Sequence, residues 1–236
     1  MGAVRRGSTD PLLEAAVGQS MLARLPPELT SEVLDGGYRI DLPAGAQPST
    51  RTNESAVALV LEGLIRVFLV SDAARQVTVR YARSGEMLGL VHLFGRNTGV
   101  HSQAVTPASV WMLVPARLRA LCEQHGPLAT AVAAECATRA SDAIDELALL
   151  TFGSVRQRVA RHLLDLAASQ QQAGDLVAAV TQQELADAAG TVREVVARVL
   201  KQLHHAGMTA GSDGGVVILD AARLDAEATA GGADAT

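Results

Sequence analysis

Hydrophobic and polar positions along the chain change their spacing several times, and each change predicts a different kind of element. Residues 11–34 hold short apolar runs broken by Pro26 and Pro27, the pattern of short helices packed on a larger body. From about residue 38 to 115 the runs become brief and strand-like. Residues 56–61, 65–70 and 76–81 read as strands separated by Glu62-Gly63 and Ser71-Asp72-Ala73-Ala74, with a further strand expected over 110–114. Several short strands at this spacing predict an antiparallel β-roll of barrel or jelly-roll type. Gly126-Pro127 then opens a helical pattern that continues to about Thr151, with alanine in many positions and Leu128, Val132, Ile144, Leu147 and Leu150 as the larger apolar groups. At 1.5 Å per residue this helix reaches about 40 Å. A helix that long with a small-residue seam is expected to pair across a two-fold axis, although its heptad is poor and Arg139 interrupts one seam.

Gly153-Ser154 marks a hinge, and Ser154 with Gln157 forms a capping box for a helix ending near Ala168. The segment 180–203, VTQQELADAAGTVREVVARVLKQL, carries the most information. Thr181 precedes Glu184 by three residues and Thr191 precedes Glu194 by three, two further S/T-x-x-E boxes. Gly190 lies between them, where a turn needs positive φ. A helix starts, breaks and restarts, which is a helix-turn-helix. On the second helix Val192, Val195, Val196, Val199, Leu200 and Leu203 form an apolar stripe. Arg193 and Glu194 fall in its first turn, Arg198 follows one turn later, and Lys201 is the only lysine of the chain. A major groove admits one such helix, where Arg reaches guanine O6 and N7 and Glu accepts from cytosine N4. Thr181, Gln182 and Gln183, at the start of the first helix, join Arg193, Glu194, Arg198 and Lys201 as the residues expected to touch double-stranded DNA. The bland alternative is a surface helix whose charges only solvate it. Beyond Gly207, Thr209 and residues 216–219 flank Gly211-Ser212-Asp213-Gly214-Gly215, a hairpin of wing type.

Composition narrows the remaining classes. The hydrophobic fraction of 48% is ample for a core, and with aromatics at 3% it must be filled by Leu, Val and Ala. Net charge is −5, yet residues 153–208 hold six Arg and Lys against five Asp and Glu, so an acidic body carries a near-neutral end that can meet DNA through one face. No apolar run reaches membrane-spanning length and the N-terminus lacks the apolar segment of a signal peptide, so a cytoplasmic protein that does not enter membranes is expected. The histidines show no metal-ligand spacing, and no metal is expected; His92 as a haem ligand stays a bare alternative. Cys122 and Cys136 are the only thiols, either small buried hydrophobes or redox-sensing thiols near His125 and Arg139. No nucleophile elbow, P-loop or zincin motif occurs, so the chain is not expected to be an enzyme, and a metal-dependent enzyme or a scaffold dimer that ignores DNA are the readings of another class.

A strand-rich roll, a long central helix and a winged helix-turn-helix carrying R-E-x-x-x-R together resemble the Crp/Fnr family of bacterial transcription regulators. The resemblance covers roughly residues 30–224. Ser84-Gly85-Glu86-Met87-Leu88-Gly89 is similar to the start of that family's phosphate-binding cassette. In cyclic-nucleotide-binding members a glutamate after the second glycine holds the ribose hydroxyl, and the arginine of a later Arg-Ser pair meets the cyclic phosphate. Here Leu90 stands at the glutamate position and His101-Ser102 at the Arg-Ser position, while the polar pair that would meet the adenine falls near Ala143-Ile144. Losing one charged hydrogen bond costs about 1.5–3 kcal/mol, or about ten- to a hundred-fold in affinity. His101 replaces only part of the charge, and Arg96 of the same loop is a second candidate. Gly85, Glu86 and Gly89 are then either a degenerate ligand pocket or turn geometry inherited with the fold.

The resemblance therefore implies an α+β chain with a disordered start (1–10), a cyclic-nucleotide-binding-like sensor domain (11–125), a central dimerisation helix (126–152), a winged helix-turn-helix domain (153–224) and a disordered tail (225–236). It implies a homodimer on a TGTGA-like palindrome with RNA polymerase as a further partner. No cofactor is expected, with cyclic AMP bound weakly at most. A thiol-based redox or nitrosative sensor, or a regulator with weak cyclic-nucleotide affinity, are the alternatives of the same class.

Overall fold

The computed structural model describes residues 10–48, 56–72, 76–95, 99–168 and 176–229. It divides into two compact units, one built from residues up to Val67 together with Ala82–Asp142, the other from Phe68–Tyr81 together with residues from Ala143 onward. The expected disordered start lies outside the described residues except for Asp10, whose carboxylate caps helix α1 (Pro11–Gln19) by accepting from the Leu12 N–H. A 3-10 turn (Met21–Arg24) and α2 (Pro27–Leu34) follow, then strands β1 (Tyr38–Leu42), β2 (Ala58–Glu62), β3 (Ile65–Val70), β4 (Gln76–Ala82) and β5 (Met87–Leu88). The short helix α3 (Val91–Phe94) leads to β6 (Val100–Ala104), β7 (Ala108–Met112), α4 (Pro115–Gln124) and α5 (Gly126–Phe152).

One sheet has the order β1-β7-β2-β5 and a second the order β4-β3-β6, with β1, β7, β2 and β5 pairing antiparallel. Strand β2 and the residues before it explain why segment 56–61 is apolar throughout rather than alternating. Ala58 and Val60 face the roll interior with Ile65, Val67, Leu88 and Met112. Val57, Leu59 and Leu61 face Leu22, Leu29, Leu118 and Leu128 from the helices. A strand buried on both faces loses the period-2 signal. The last strand of the roll is Ala108–Met112, two residues earlier than expected, because Pro115 begins α4 and Val114 is already its cap.

Helix α5 has the extent that its pattern predicts. Its early residues Leu128 and Val132 are buried, whereas Ile144 (65% exposed), Leu147 (62%) and Phe152 (79%) stand open.

The second unit continues with α6 (Val155–Ala167), β8 (Leu176–Ala178), α7 (Gln182–Ala188), α8 (Arg193–His205), β9 (Thr209–Ser212), β10 (Gly215–Ile218) and α9 (Ala221–Thr229). The Ser154–Gln157 capping box of α6 is complete, and Val159, Ala160, Leu163 and Leu166 are buried on one face. His162, also buried, meets Tyr81 edge-on with ring centroids 6.0 Å apart. The wing is a three-stranded sheet, β8-β10-β9, of which the expected hairpin supplies two strands. The expectation of a disordered tail from residue 225 is corrected as far as Thr229. Leu224 and Ala228 are buried, and Glu227 takes a two-pronged bond from Arg156 at 2.6 and 2.9 Å, so that α9 packs on α6. Residues 230–236 lie outside the described residues.

Candidate nucleic-acid interface

The Thr181 capping box holds the start of α7: Thr181 Oγ1 accepts from the Glu184 N–H at 3.2 Å, and Glu184 Oε2 accepts from the Thr181 N–H at 2.8 Å. At the other end Gly190 takes φ +62°, and the Thr191 N–H donates to Ala186 O at 2.9 Å, the long bond of a Schellman ending. That bond overturns the expected Thr191–Glu194 box. The Thr191 backbone closes α7, so α8 begins one residue later with Val192 as its cap and no side-chain acceptor. Gly207 closes α8, its N–H donating to His204 O while Met208 N–H reaches Leu203 O. Leu185, Ala186, Ala188 and Ala189 of the first helix and its end, with Val196, Val199 and Leu203 of the second, are buried.

The opposite face of α8 is charged and open. Arg193, Glu194, Arg198 and Lys201 are all exposed, and among the described residues none has a hydrogen-bond or ion-pair partner. Thr181, Gln182 and Gln183 are exposed beside them, with Gln183 bonded to Asp187 at 2.9 Å. Between α8 and the wing runs a groove of 560 Å³ whose walls include Thr181, Gln182, Lys201, His204 and Ser212. Of the sequence-predicted DNA residues, Thr181, Gln182 and Lys201 thus meet in one groove, while Gln183, Arg193, Glu194 and Arg198 are exposed on the same two helices outside its walls. His204 is tied by its Nδ1 to Thr209 O at 3.0 Å, which joins the end of α8 to the first wing strand.

The cassette residues have a different character. Gly85 and Gly89 bracket β5, and Gly89 has φ +76° with its α-carbon so close to Ala56 O that a Cβ would overlap that oxygen. Glycine is required there by the backbone alone. Val60 N–H donates to Glu86 O, and the Glu86 carboxylate lies 3.6 Å from Arg139 of α5. Arg139 also binds Glu135 at 2.8 Å and Asp142 at 3.0 Å. The residue that interrupts the seam is therefore a cation held by three carboxylates, a constellation that the Glu135 and Asp142 spacing on one helix could have disclosed. Leu90 is buried in the core shared with the helices. His101 is exposed and Ser102 half-buried on β6, and Arg96 lies outside the described residues. His92 sits half-buried on α3, its Nδ1 without a partner among the described residues.

Burial pushes both thiols up, Cys122 with help from Glu123 and Cys136 with help from Glu135. A redox-sensing thiol needs the opposite shift. Sequence reading also missed the most perturbed carboxyl among the described residues. Burial, then the neighbouring Asp165, raises Glu146 of α5 from 4.5 to about 7 against the pull of Arg161 and Arg158. No group of three His, Cys, Asp or Glu that could hold a metal ion occurs among the described residues, and no helix there is long and apolar enough to cross a membrane.

Comparison with known proteins agrees with this architecture. Residues 50–125 match the cyclic nucleotide-binding domain and residues 157–227 the Crp-like helix-turn-helix domain. The chain is 34% identical to the transcriptional regulator LdrP of Thermus thermophilus over 170 residues, 71% of this chain and 84% of that protein. It is 33% identical to a cyclic AMP receptor protein of the same organism over 171 residues, 72% of this chain and 78% of that one. A crystal structure of a Crp/Fnr-family regulator from Eubacterium rectale superposes with a TM-score of 0.73 at 22% identity, covering 88% of this chain and 97% of that one. With both domain matches in chain order and relatives that span most of its length, this chain belongs to the Crp/Fnr family of DNA-binding transcription regulators.

Proposed function

We propose that the protein is a cytoplasmic homodimer that reads a TGTGA-like palindrome through Arg193, Glu194 and Arg198 of α8, without needing cyclic AMP. Thr181, Gln182, Gln183 and Lys201 hold the phosphates on either side, and RNA polymerase is the further partner that the family implies. One observation carries the reading: four charged side chains on one exposed face of α8 are left without partners among the described residues. Charges kept out of internal ion pairs are available to phosphates and base edges. Exposed Ile144, Leu147 and Phe152 on the second half of α5 support pairing with a second copy, since a single chain leaves large apolar groups in water there.

Independence from cyclic AMP rests on Leu90, which lies in the core, and on His101 in place of an arginine. Weak cyclic-nucleotide binding is the second reading, favoured by the match of residues 50–125 and by the relative named as a cyclic AMP receptor protein. A gel-shift titration of a TGTGA palindrome and a scrambled duplex, with and without cyclic AMP, tests both. Selective binding that the nucleotide leaves unchanged is expected. Selective binding only with the nucleotide present would reverse the second half of the proposal, and equal binding to both duplexes the first.

A further inference from the structure

Two helix ends meet at one side chain in the second unit. Arg158 of α6 donates from Nε to Ala189 O at 2.8 Å and from Nη1 to Gly153 O at 2.8 Å. Gly153 directly follows the last residue of α5, and Ala189 caps α7 one residue before the turn glycine of the helix-turn-helix. Both carbonyls belong to helix C-termini, where the backbone has no helical donor left and a cation is favoured. A planar guanidinium can satisfy two such carbonyls at once, which an ammonium does less well. The turn that launches the recognition helix is therefore tethered to the end of the central helix through one residue.

The group that faces this tether is Glu146. It lies on α5 about two turns before Gly153, and its Oε1 is closed off from solvent with no partner among the described residues. Arg158, Arg161 and Asp165 of α6 surround it, Asp145 adjoins it on its own helix, and Arg161 is itself drawn to Asp165 at 3.5 Å. His162 of α6 is turned to Tyr81.

We propose that Arg158 is a positioning residue for DNA reading, clamping the recognition-helix turn to the end of the central helix, and that ionisation of Glu146 draws the guanidinium off those carbonyls. A neutral Glu146 leaves the donors of Arg158 to Gly153 and Ala189. An ionised carboxylate without a partner is costly to keep buried. Of the two cations that act on it, Arg161 and then Arg158, Arg161 is already drawn to Asp165 at 3.5 Å, so Arg158 is the one whose donors can turn to it. A charge-assisted bidentate bond is stronger than bonds to neutral carbonyls. Burial already holds the Glu146 carboxyl near neutrality, raised to about 7, so the exchange falls where the surroundings can move it. The clamp is complete on the acid side and loosened on the alkaline side.

The inference rests on DNA binding by α8 and not on any particular operator, so the test uses a duplex recovered by the wild-type full-length protein from a random-sequence pool. Affinity is measured by fluorescence anisotropy at pH 6, 7 and 8 and constant ionic strength, for wild type, Glu146→Gln, Arg158→Gln and the double variant. Wild type is expected to weaken relative to Glu146→Gln by about fivefold between pH 6 and 8, at the low end of coupling between protein sites. Comparing these two cancels the recognition-helix histidines His204 and His205, which both proteins share. Arg158→Gln is expected to bind more weakly at every pH, and adding Glu146→Gln to it to change nothing further. Identical pH profiles for wild type and Glu146→Gln would overturn the proposal, even if Arg158→Gln does not fold. A Glu146 effect that persists without Arg158 would overturn the assignment of the clamp. Recovery of no duplex at all would overturn DNA binding by α8 and this inference with it.

Discussion

The charges of α8 and those around the cassette are alike in chemistry and opposite in use. On α8, Arg193, Glu194, Arg198 and Lys201 stand exposed without partners among the described residues. Near the cassette, Arg139 is enclosed by Glu86, Glu135 and Asp142, and its guanidinium is raised by those carboxylates despite its burial. A charge already saturated by its own chain has little left for a ligand, whereas an unpaired one pays its desolvation only when a partner arrives. The charges of α8 are thus left open, as the proposed DNA reading requires, whereas Glu86 of the cassette ties the roll to Arg139 of the long helix. In a cyclic-nucleotide-binding relative of the family, by resemblance, the cyclic phosphate would meet an arginine; here the corresponding position is His101.

Four changes probe that contrast, the largest first. Leu147→Asp is expected to abolish most operator affinity, because two like charges would face each other across the proposed two-fold. Truncating a buried leucine alone costs about 2–5 kcal/mol. Sedimentation beside a shift assay checks this, and a variant that stays dimeric and binds normally would move the interface elsewhere. Arg193→Ala is expected to cost about 1–3 kcal/mol on the preferred duplex and to relax one guanine position. Equal losses on specific and random DNA would make Arg193 a phosphate contact instead.

Arg139→Gln is expected to leave base preference intact while lowering stability by about 1 kcal/mol, less than a fully buried charged network would give because these groups are partly solvated. Urea unfolding reads the stability, and sequence selection against a random pool reads the preference. The smallest effect is expected from His101→Arg, which restores a permanent charge for a phosphate and should strengthen cyclic-AMP binding by several fold in calorimetry. No gain would indicate that Leu90, filling the core, already closes the pocket.

Glu146 belongs to neither group, being a half-buried residue whose Oε1 is closed off from solvent and which has no salt-bridge partner among the described residues. Its folded value is raised from 4.5 to about 7, so the fold holds its proton more tightly than the unfolded chain does. The associated stability is fully present below about 4.5 and is lost as pH rises through about 7. Glu146→Gln is therefore expected to melt a few degrees above wild type at pH 8 and together with it at about pH 4. Equal melting temperatures at both values would mean that the carboxyl is better solvated than its surroundings indicate.

Local chemistry is what the sequence by itself determined. The Thr181 and Ser154 capping boxes, the Gly190 turn, the long α5 and the Val196, Val199 and Leu203 part of the apolar stripe are each written in residues a few positions apart, so their spacing discloses them. Val192, expected in that stripe, instead caps α8 and stands exposed. The same holds for the family resemblance, which is carried by R-E-x-x-x-R and the cassette glycines. Only the tertiary structure decided matters that depend on distant partners. It turned Thr191 from a helix cap into the closing bond of the preceding helix, because the Ala186 carbonyl competes for its N–H. It ordered residues 225–229 as helix, since Arg156 lies far away in sequence and near in space. It made Leu90 a core residue and gave Arg139 its Glu86 partner. Arg158 is the clearest case: nothing in its neighbourhood along the chain signals the Ala189 carbonyl, and only folding brings the two helix ends within reach of one guanidinium.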